Sequence, residues 1–149
     1  MSTQSSAANE RRQGSQDLVT KLVAERTQML VTFCRLAGVE PYTVVTPVQK
    51  LLQEFCQILV DYVAAGHFAL YERILEGKER RKEVADIAGE IYARIAQSTQ
   101  NALDFNDKYD CGDHCTELGS LSQDLSRLGE DIALRIELED RLLSAMNQR

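Results

Sequence analysis

The feature that most constrains the fold of this chain is apolar periodicity. Four separate segments repeat apolar residues every three to four positions, and none shows the sustained alternation expected of a strand. Four long amphipathic helices with short connections predict an all-α fold, an antiparallel four-helix bundle. The predicted core-facing residues are, segment by segment, Leu18, Leu22, Met29, Phe33 and Leu36; Leu52, Phe55, Leu59, Tyr62, Val63, Leu70 and Ile74; Val84, Ile87, Ile91, Ile95, Ala102 and Phe105; and Leu118, Leu121, Leu125, Leu128, Ile132, Ile136, Leu143 and Met146.

Capping residues predict where the first two helices begin and end. The first is predicted over residues 15–38, because glycine suits the left-handed position that closes a helix. The second is predicted over residues 46–75, with Thr46 as its N-cap, Pro47 at the first helical position and Gln49 completing a capping box.

The rest of the chain divides by the same signals. A bend is predicted near Gly66, a third helix over residues 79–105, a loop over 106–115 and a fourth helix from 118 to 146. Residues 1–14 are polar and aperiodic, which predicts a disordered, flexible tail.

Length and charge limit the class of protein. A chain of 149 residues suits one domain, predicted over residues 15–149, and a net charge of −6 would repel a nucleic-acid backbone but attract a basic protein. No apolar run is long enough for a membrane helix, and the first fourteen residues lack the apolar stretch of a signal peptide. We therefore expect a cytoplasmic protein that contacts neither membrane nor nucleic acid. The cysteines should be reduced thiols, at positions Cys34, Cys56, Cys111 and Cys115.

Polar residues interrupt the apolar face of the second predicted helix. His67 and Tyr71 are four positions apart and share a face. Asp61, Phe68 and Glu72 follow a neighbouring stripe at spacings of seven and four. We expect a polar ladder beside the core stripe.

Other helices are predicted to supply partners for this ladder. Glu139 falls seven residues after one core position and seven before another, with Asp140 beside it, and Arg26 interrupts the face of the first helix. A buried carboxylate is costly unless it is paired. We therefore expect a connected, partly buried cluster, which Arg26 and Glu139 approach from other helices and whose members are Asp61, His67, Tyr71 and Glu72. Such a cluster fits a structural network, a partner-binding groove or a small-molecule pocket, and periodicity does not choose among them.

Motifs for metals and catalysis are not evident in the sequence. The Glu-x-x-His pairs of di-iron bundles do not occur, and Cys111, His114 and Cys115 supply at most three zinc ligands in a loop. No clustered glycine loop or nucleophilic set can be recognised. We predict no metal, no cofactor and no enzymatic activity.

The segment at residues 59–75, reading LVDYVAAGHFALYERIL, resembles the signature of the regulator of sigma D (Rsd/AlgQ) family of anti-sigma factors. LVTKLVAER at 18–26, AGV at 37–39, EFC at 54–56 and IELEDRLL at 136–143 are also similar to the family and occur in its order. The family's Asp-Arg-Trp run in the first helix is replaced by Thr20, Lys21 and Leu22.

This resemblance implies a four-helix bundle that binds the primary sigma factor of RNA polymerase, chiefly its C-terminal promoter-recognition region. Housekeeping transcription would then fall in slow or stationary growth. Some relatives also bind the phosphocarrier protein HPr and influence the stringent response. A ligand-sensing helical bundle is the alternative function. The implied contact or pocket residues are Asp61, Tyr62, His67, Phe68, Ala69, Tyr71 and Glu72, with Glu139 and Asp140 matching the family's C-terminal acidic pair.

Overall fold

A computed structural model of the chain contains four α-helices. They are α1 (Thr3–Ala37), α2 (Thr46–Ala64), α3 (Lys82–Tyr109) and α4 (Leu121–Asn147), and α2 continues into a π-helical turn, π1 (Ala65–Tyr71). No strand occurs in the part of the chain that the structure describes, so the predicted all-α fold is confirmed. The backbone is described for residues 3–38, 46–71, 74, 81–110 and 118–147, and side chains within these ranges except at 3–15, 46–47, 68–70 and 147.

Side-chain contacts show that neighbouring helices run antiparallel. The rings of Phe33, near the end of α1, and Phe55, in α2, lie 5.8 Å apart. Leu22, which comes earlier in α1, lies against Gly66, which follows α2 in π1, so the two helices run in opposite directions. Between α3 and α4, successively later residues of α3 contact successively earlier residues of α4. The pairs are Glu90–Arg141, Thr99–Arg135, Asn101–Asp131 and Lys108–Asp124. The predicted antiparallel bundle is confirmed.

The apolar residues that the periodicity assigns to the inward faces of the helices form the core of the bundle. Apart from Leu70, whose side chain lies outside the described residues, the predicted core-facing side chains are buried or partly buried. A series of aromatic rings crosses this core: Phe55 packs edge-on against Phe105 at 5.8 Å, and Phe105 lies 4.7 Å from Tyr109. Such pairs stabilise the core beyond the area they bury, and together with the Phe33–Phe55 pair they join α1, α2 and α3.

The first helix differs from its prediction at its beginning. It starts at Thr3, although the periodicity predicts a start at residue 15. The added segment contains alanine, glutamate, arginine and glutamine without proline, so it can be helical without an apolar face. Among the described side chains of α1, the first ones packed on the core are Val19 and Leu22. The flexible tail at residues 1–14 stays a prediction.

The loop predicted over residues 106–115 is wrong at its beginning, because α3 continues to Tyr109. The Tyr109 ring is buried, and its hydroxyl donates to Asp124 Oδ2 at 2.5 Å. A tertiary contact with α4 therefore holds the last turn of α3, and it outweighs the turn-forming composition of Asn106 and Asp107.

Two helix starts agree closely with the sequence. Helix α2 begins at Thr46, as predicted, although the Thr46 side chain of the predicted capping box lies outside the described side chains. Helix α4 begins at Leu121, three residues after the predicted position, and the backbone N–H of Leu121 donates to the carbonyl of Leu118. Among the described helices, none has the long apolar run that a membrane crossing requires.

Candidate functional site

The centre of the bundle contains a buried ion pair on α4. Arg135 is 1% exposed and Glu139 is fully buried, and the Nε of Arg135 lies 3.0 Å from Oε1 of Glu139. The two residues are four positions apart, so they lie on the same face of the helix. A buried pair of this kind persists only when its remaining donors and acceptors are also hydrogen-bonded.

Tyr62 of α2 satisfies the carboxylate from the opposite side. Its hydroxyl lies 2.7 and 2.8 Å from the two oxygens of Glu139, so its proton is shared between them. Its ring lies 5.2 Å from the guanidinium carbon of Arg135, which is within cation–π range. Burial and the charge of Glu139 raise the pKa of the Tyr62 hydroxyl, so this group remains a donor.

Helix α3 supplies acceptors for the rest of the Arg135 guanidinium. Its Nη1 lies 2.9 Å from Ser98 Oγ and 2.7 Å from Thr99 Oγ1, and 3.4 Å from the backbone carbonyl of Ile95. Its Nη2 lies 3.4 Å from the carbonyl of Val63 on α2. One side chain thus contacts two neighbouring helices, using the planar fork of donors that distinguishes arginine from lysine.

Arg26 extends the network to α1. Its Nη1 lies 2.8 Å from Oδ1 of Asp140 and 3.6 Å from Oε2 of Glu139. Partial burial opposes its charge, but the hydrogen bond to Asp140 and the two acidic neighbours raise the pKa of Arg26 overall. Arg26 therefore meets both members of the acidic pair, Glu139 and Asp140. All four helices contribute to this buried charge network, which comprises Arg26, Tyr62, Ser98, Thr99, Arg135 and Glu139, with Asp140 at its exposed edge.

The π1 turn brings Tyr71 to the edge of this network. Tyr71 is fully buried, and its hydroxyl has no hydrogen-bond partner among the described residues. Burial, followed by the charge of Glu139, raises the pKa of Tyr71 above its usual range. His67, one turn earlier, is partly buried, and its ring lies 5.8 Å from that of Tyr92 on α3.

The expectation that Asp61 belongs to the buried cluster is wrong. Asp61 is exposed and accepts a hydrogen bond from Gln57 Nε2 at 3.1 Å. It lies near Glu25 of α1, where burial and the Asp61 charge raise the pKa of the Glu25 carboxyl. The reason is helical geometry: Tyr62 points to the core, and the preceding residue is rotated about 100° away from it. The side chains of Phe68 and Ala69, and all of Glu72, lie outside the described residues.

Arg135 is not among the residues predicted from the sequence to form the cluster, although a signal for it exists. Arg135 follows the core residue Leu128 by seven positions and precedes Glu139 by four, so it occupies the apolar stripe of α4 beside a carboxylate of opposite charge. For Gly66 the sequence predicts only a bend in the helix. A Cβ atom at that position would lie 2.9 Å from Nη2 of Arg135, so the glycine makes room for the guanidinium.

Metal ligands do not cluster in the described part of the chain: no group of three His, Cys, Asp or Glu side chains there could hold an ion. The candidate zinc ligands Cys111, His114 and Cys115 lie outside that part. Cys34 is exposed, and Cys56 is buried, each as a free thiol.

Four helices that meet at a buried charge network define the class of protein as an all-α helical bundle. The chain belongs to the family described as "Regulator of RNA polymerase sigma(70) subunit, Rsd/AlgQ", whose sequence model matches residues 1–147. The resemblance carried by residues 59–75 is thereby confirmed.

Individual relatives agree over most of the chain. A protein named "Regulator of sigma D" from Escherichia coli strain K12 is 37% identical over 138 residues, covering 90% of this chain and 86% of the relative. The protein of that name from Shigella dysenteriae serotype 1 has the same identity and coverage. The one from Yersinia enterocolitica is 34% identical over 139 residues, covering 87% of this chain and 80% of the relative.

Proposed function

We propose that this protein is an anti-sigma factor. It binds the primary sigma factor of RNA polymerase in the cytoplasm, chiefly through the C-terminal promoter-recognition region of that factor, and thereby reduces its use by the polymerase. The observation that carries the proposal is the family match over residues 1–147, together with relatives named for the regulation of sigma D. It acts by stoichiometric binding, without turnover of a substrate.

Charge supports this choice of partner. The chain carries a net charge of −6, and the promoter-recognition region of a sigma factor is a basic helix-turn-helix module. Opposite charges accelerate encounter and hold the register of a complex, and their effect is screened beyond about 10 Å at 0.1 M salt. Binding should therefore weaken as salt concentration rises.

We assign partner binding to a docking segment, residues 61–72. Asp61 is exposed and can meet a basic partner directly. Tyr62 and Tyr71 are fully buried, so their role is to support the segment from inside. Phe68 should provide apolar anchoring and Glu72 a charge for an Arg or Lys of the partner, because interfaces combine aromatic anchors with complementary charge. The segment's members are Asp61, Tyr62, His67, Phe68, Ala69, Tyr71 and Glu72, supported by Arg26, Glu139 and Asp140.

The test is a titration of the full chain against the isolated C-terminal region of the primary sigma factor at low and high salt. Asp61→Asn should slow association and flatten the salt dependence, whereas Phe68→Ala should raise the dissociation rate. Asp86→Asn is the matched control, since it removes the same charge from an exposed position on α3. The proposal fails if the unaltered chain does not bind that region at micromolar concentration and low salt.

A second candidate is a ligand-sensing bundle, in which a small metabolite changes the affinity for a protein partner. The Tyr71 hydroxyl favours it, because this buried group has no hydrogen-bond partner among the described residues. A metabolite that raises the melting temperature of the full chain without sigma factor, and not that of a Tyr71→Phe variant, would support this candidate. Binding of HPr stays a prediction, which a pull-down with purified HPr would test.

A further inference from the structure

We propose that Arg135 is a positioning residue for partner binding: from α4 it fixes the change from α-helix to π-helix at Ala65, and so sets the direction of residues 65–71. The inference rests on the proposed function, because these residues form the middle of the docking segment. Arg135 itself is 1% exposed and does not meet the partner.

Arg135 contacts the backbone beside the α-to-π transition. Hydrogen bonds in an α-helix join residues four apart, whereas those in a π-helix join residues five apart, so the pairing of backbone N–H groups with carbonyls shifts by one residue where one changes to the other. Val63 lies two residues before the start of π1, and its carbonyl oxygen is 3.4 Å from Nη2 of Arg135. Arg135 thus adds a charged donor to the backbone directly before this shift in pairing.

Gly66 shows that this approach is close. A Cβ atom there would lie 2.9 Å from Nη2 of Arg135 and 3.4 Å from both Leu22 Cδ1 and Tyr71 Cε2. No side chain larger than hydrogen fits between the guanidinium and the π1 backbone without a shift of one of them. The sequence Ala-Gly at the beginning of π1 therefore makes the contact possible.

Contacts with residues of three helices hold the Arg135 guanidinium in one position. Glu139 binds its Nε, the hydroxyls of Ser98 and Thr99 bind its Nη1, and the ring of Tyr62 lies beside its guanidinium. If Arg135 served only to balance the charge of Glu139, any single positive charge at this position would be sufficient. The observed arrangement uses the whole planar fork, and its remaining arm is directed at the backbone of α2.

The π-helical turn changes which face later residues present. One additional residue in a turn rotates everything beyond it by roughly 100° relative to a continuous α-helix. If π1 relaxed to an α-helix, positions 68 and 69 would move to a different face of the bundle while Asp61 stayed in place. The proposed contacts of positions 68 and 69 with the partner would then be displaced relative to Asp61.

The experiment compares Arg135→Lys and Gly66→Ala with Leu128→Ala. The lysine keeps a positive charge beside Glu139 but lacks the fork, and the alanine displaces the guanidinium by its Cβ. Leu128 is a buried core residue of α4, two turns before Arg135, and serves as a control for lost stability. Two quantities are measured in each full-length variant: the Kd for the sigma C-terminal region and the hydrogen exchange of amides 65–71.

We expect Arg135→Lys and Gly66→Ala each to raise the Kd by about tenfold or more, the size that follows from losing one hydrogen bond to a charged group. In both variants, amide hydrogen exchange should accelerate more at residues 65–71 than in α2. The double variant should lose less affinity than the two single changes combined, because both act through one contact. Leu128→Ala should leave the Kd within about threefold while lowering global stability.

The inference is overturned if Arg135→Lys binds like the unaltered chain, if exchange at residues 65–71 does not accelerate, or if affinity in all three variants simply follows stability. Failure of the unaltered chain to bind the sigma region is a different result, which contradicts the proposed function. Hydrogen exchange in Arg135→Lys then still decides whether Arg135 holds the π1 turn.

Discussion

Replacing Glu139 with leucine should destabilise the fold severely. The carboxylate is fully buried, is paired to Arg135 at 3.0 Å and accepts from the Tyr62 hydroxyl at 2.7 Å. Without it, the described residues offer the buried Arg135 guanidinium no counter-ion. Breaking a buried pair by removing one partner costs about 3 to 5 kcal/mol, mostly from the charge that remains.

Urea unfolding followed by circular dichroism measures this loss. For a small domain the free energy of unfolding falls by about 1 to 3 kcal/mol per molar urea, so a loss of about 4 kcal/mol lowers the midpoint by roughly 2 M. Asp140→Leu is the matched control, since the neighbouring carboxylate is 57% exposed and pairs only with Arg26 among the described residues. An exposed pair contributes about 0 to 1 kcal/mol.

A double variant, Arg135→Met with Glu139→Leu, separates the lost pair from the stranded charge. It should be more stable than the sum of the single changes predicts by about 0.5 to 3 kcal/mol, because neither charge is left alone in the core. If Glu139→Leu costs less than about 1 kcal/mol, like the exposed control, the network is open to water and the reasoning is refuted.

Three further outcomes can be checked by separate measurements. Gly89→Ala should raise the free energy of unfolding by about 0.5 to 1 kcal/mol, because no atom lies within 4 Å of the added Cβ on this exposed helical face; a lower melting temperature would contradict this. Cys34 should react quickly with a thiol reagent and Cys56 only on unfolding, because Cys56 is buried and burial raises the pKa of its thiol to about 12; equal rates in the native protein would be contrary evidence. Burial opposes the charge of Asp124, but Lys108, at 2.6 Å, and a tyrosine hydroxyl lower the pKa of Asp124 overall. The stabilisation is thus present above the ordinary Asp pKa of 3.8 and is lost as pH falls through the lowered value, so the acid unfolding of Asp124→Asn should be less steep than that of the parent.

Local sequence determined which residues fill the core. A helix places every third or fourth residue on one face, so burial in α2, α3 and α4 follows directly from a pattern visible within each segment. The same geometry could have corrected one error: Tyr62 lies on the stripe of Phe55 and Leu59, and its neighbour Asp61 therefore does not.

Contacts between distant segments were beyond local sequence. Helix α3 extends to Tyr109 because of a hydrogen bond to Asp124, fifteen residues further along the chain. The position of Arg135 on the α4 stripe was visible, but its acceptors on α3 lie 36 and 37 positions away, and spacing within one helix carries no information about them.

The sequence by itself therefore determined the four helices, their inward faces and the family, since these depend on residues near one another in the chain or on a contiguous signature. Only the tertiary structure decided that Arg135, Glu139 and Tyr62 form one buried network and that α2 continues as a π-helix beside it. The physical reason is that a buried charge takes its partners from whichever helices pack around it, and the guanidinium that contacts the backbone beside the π-helical turn comes from a helix distant in the chain.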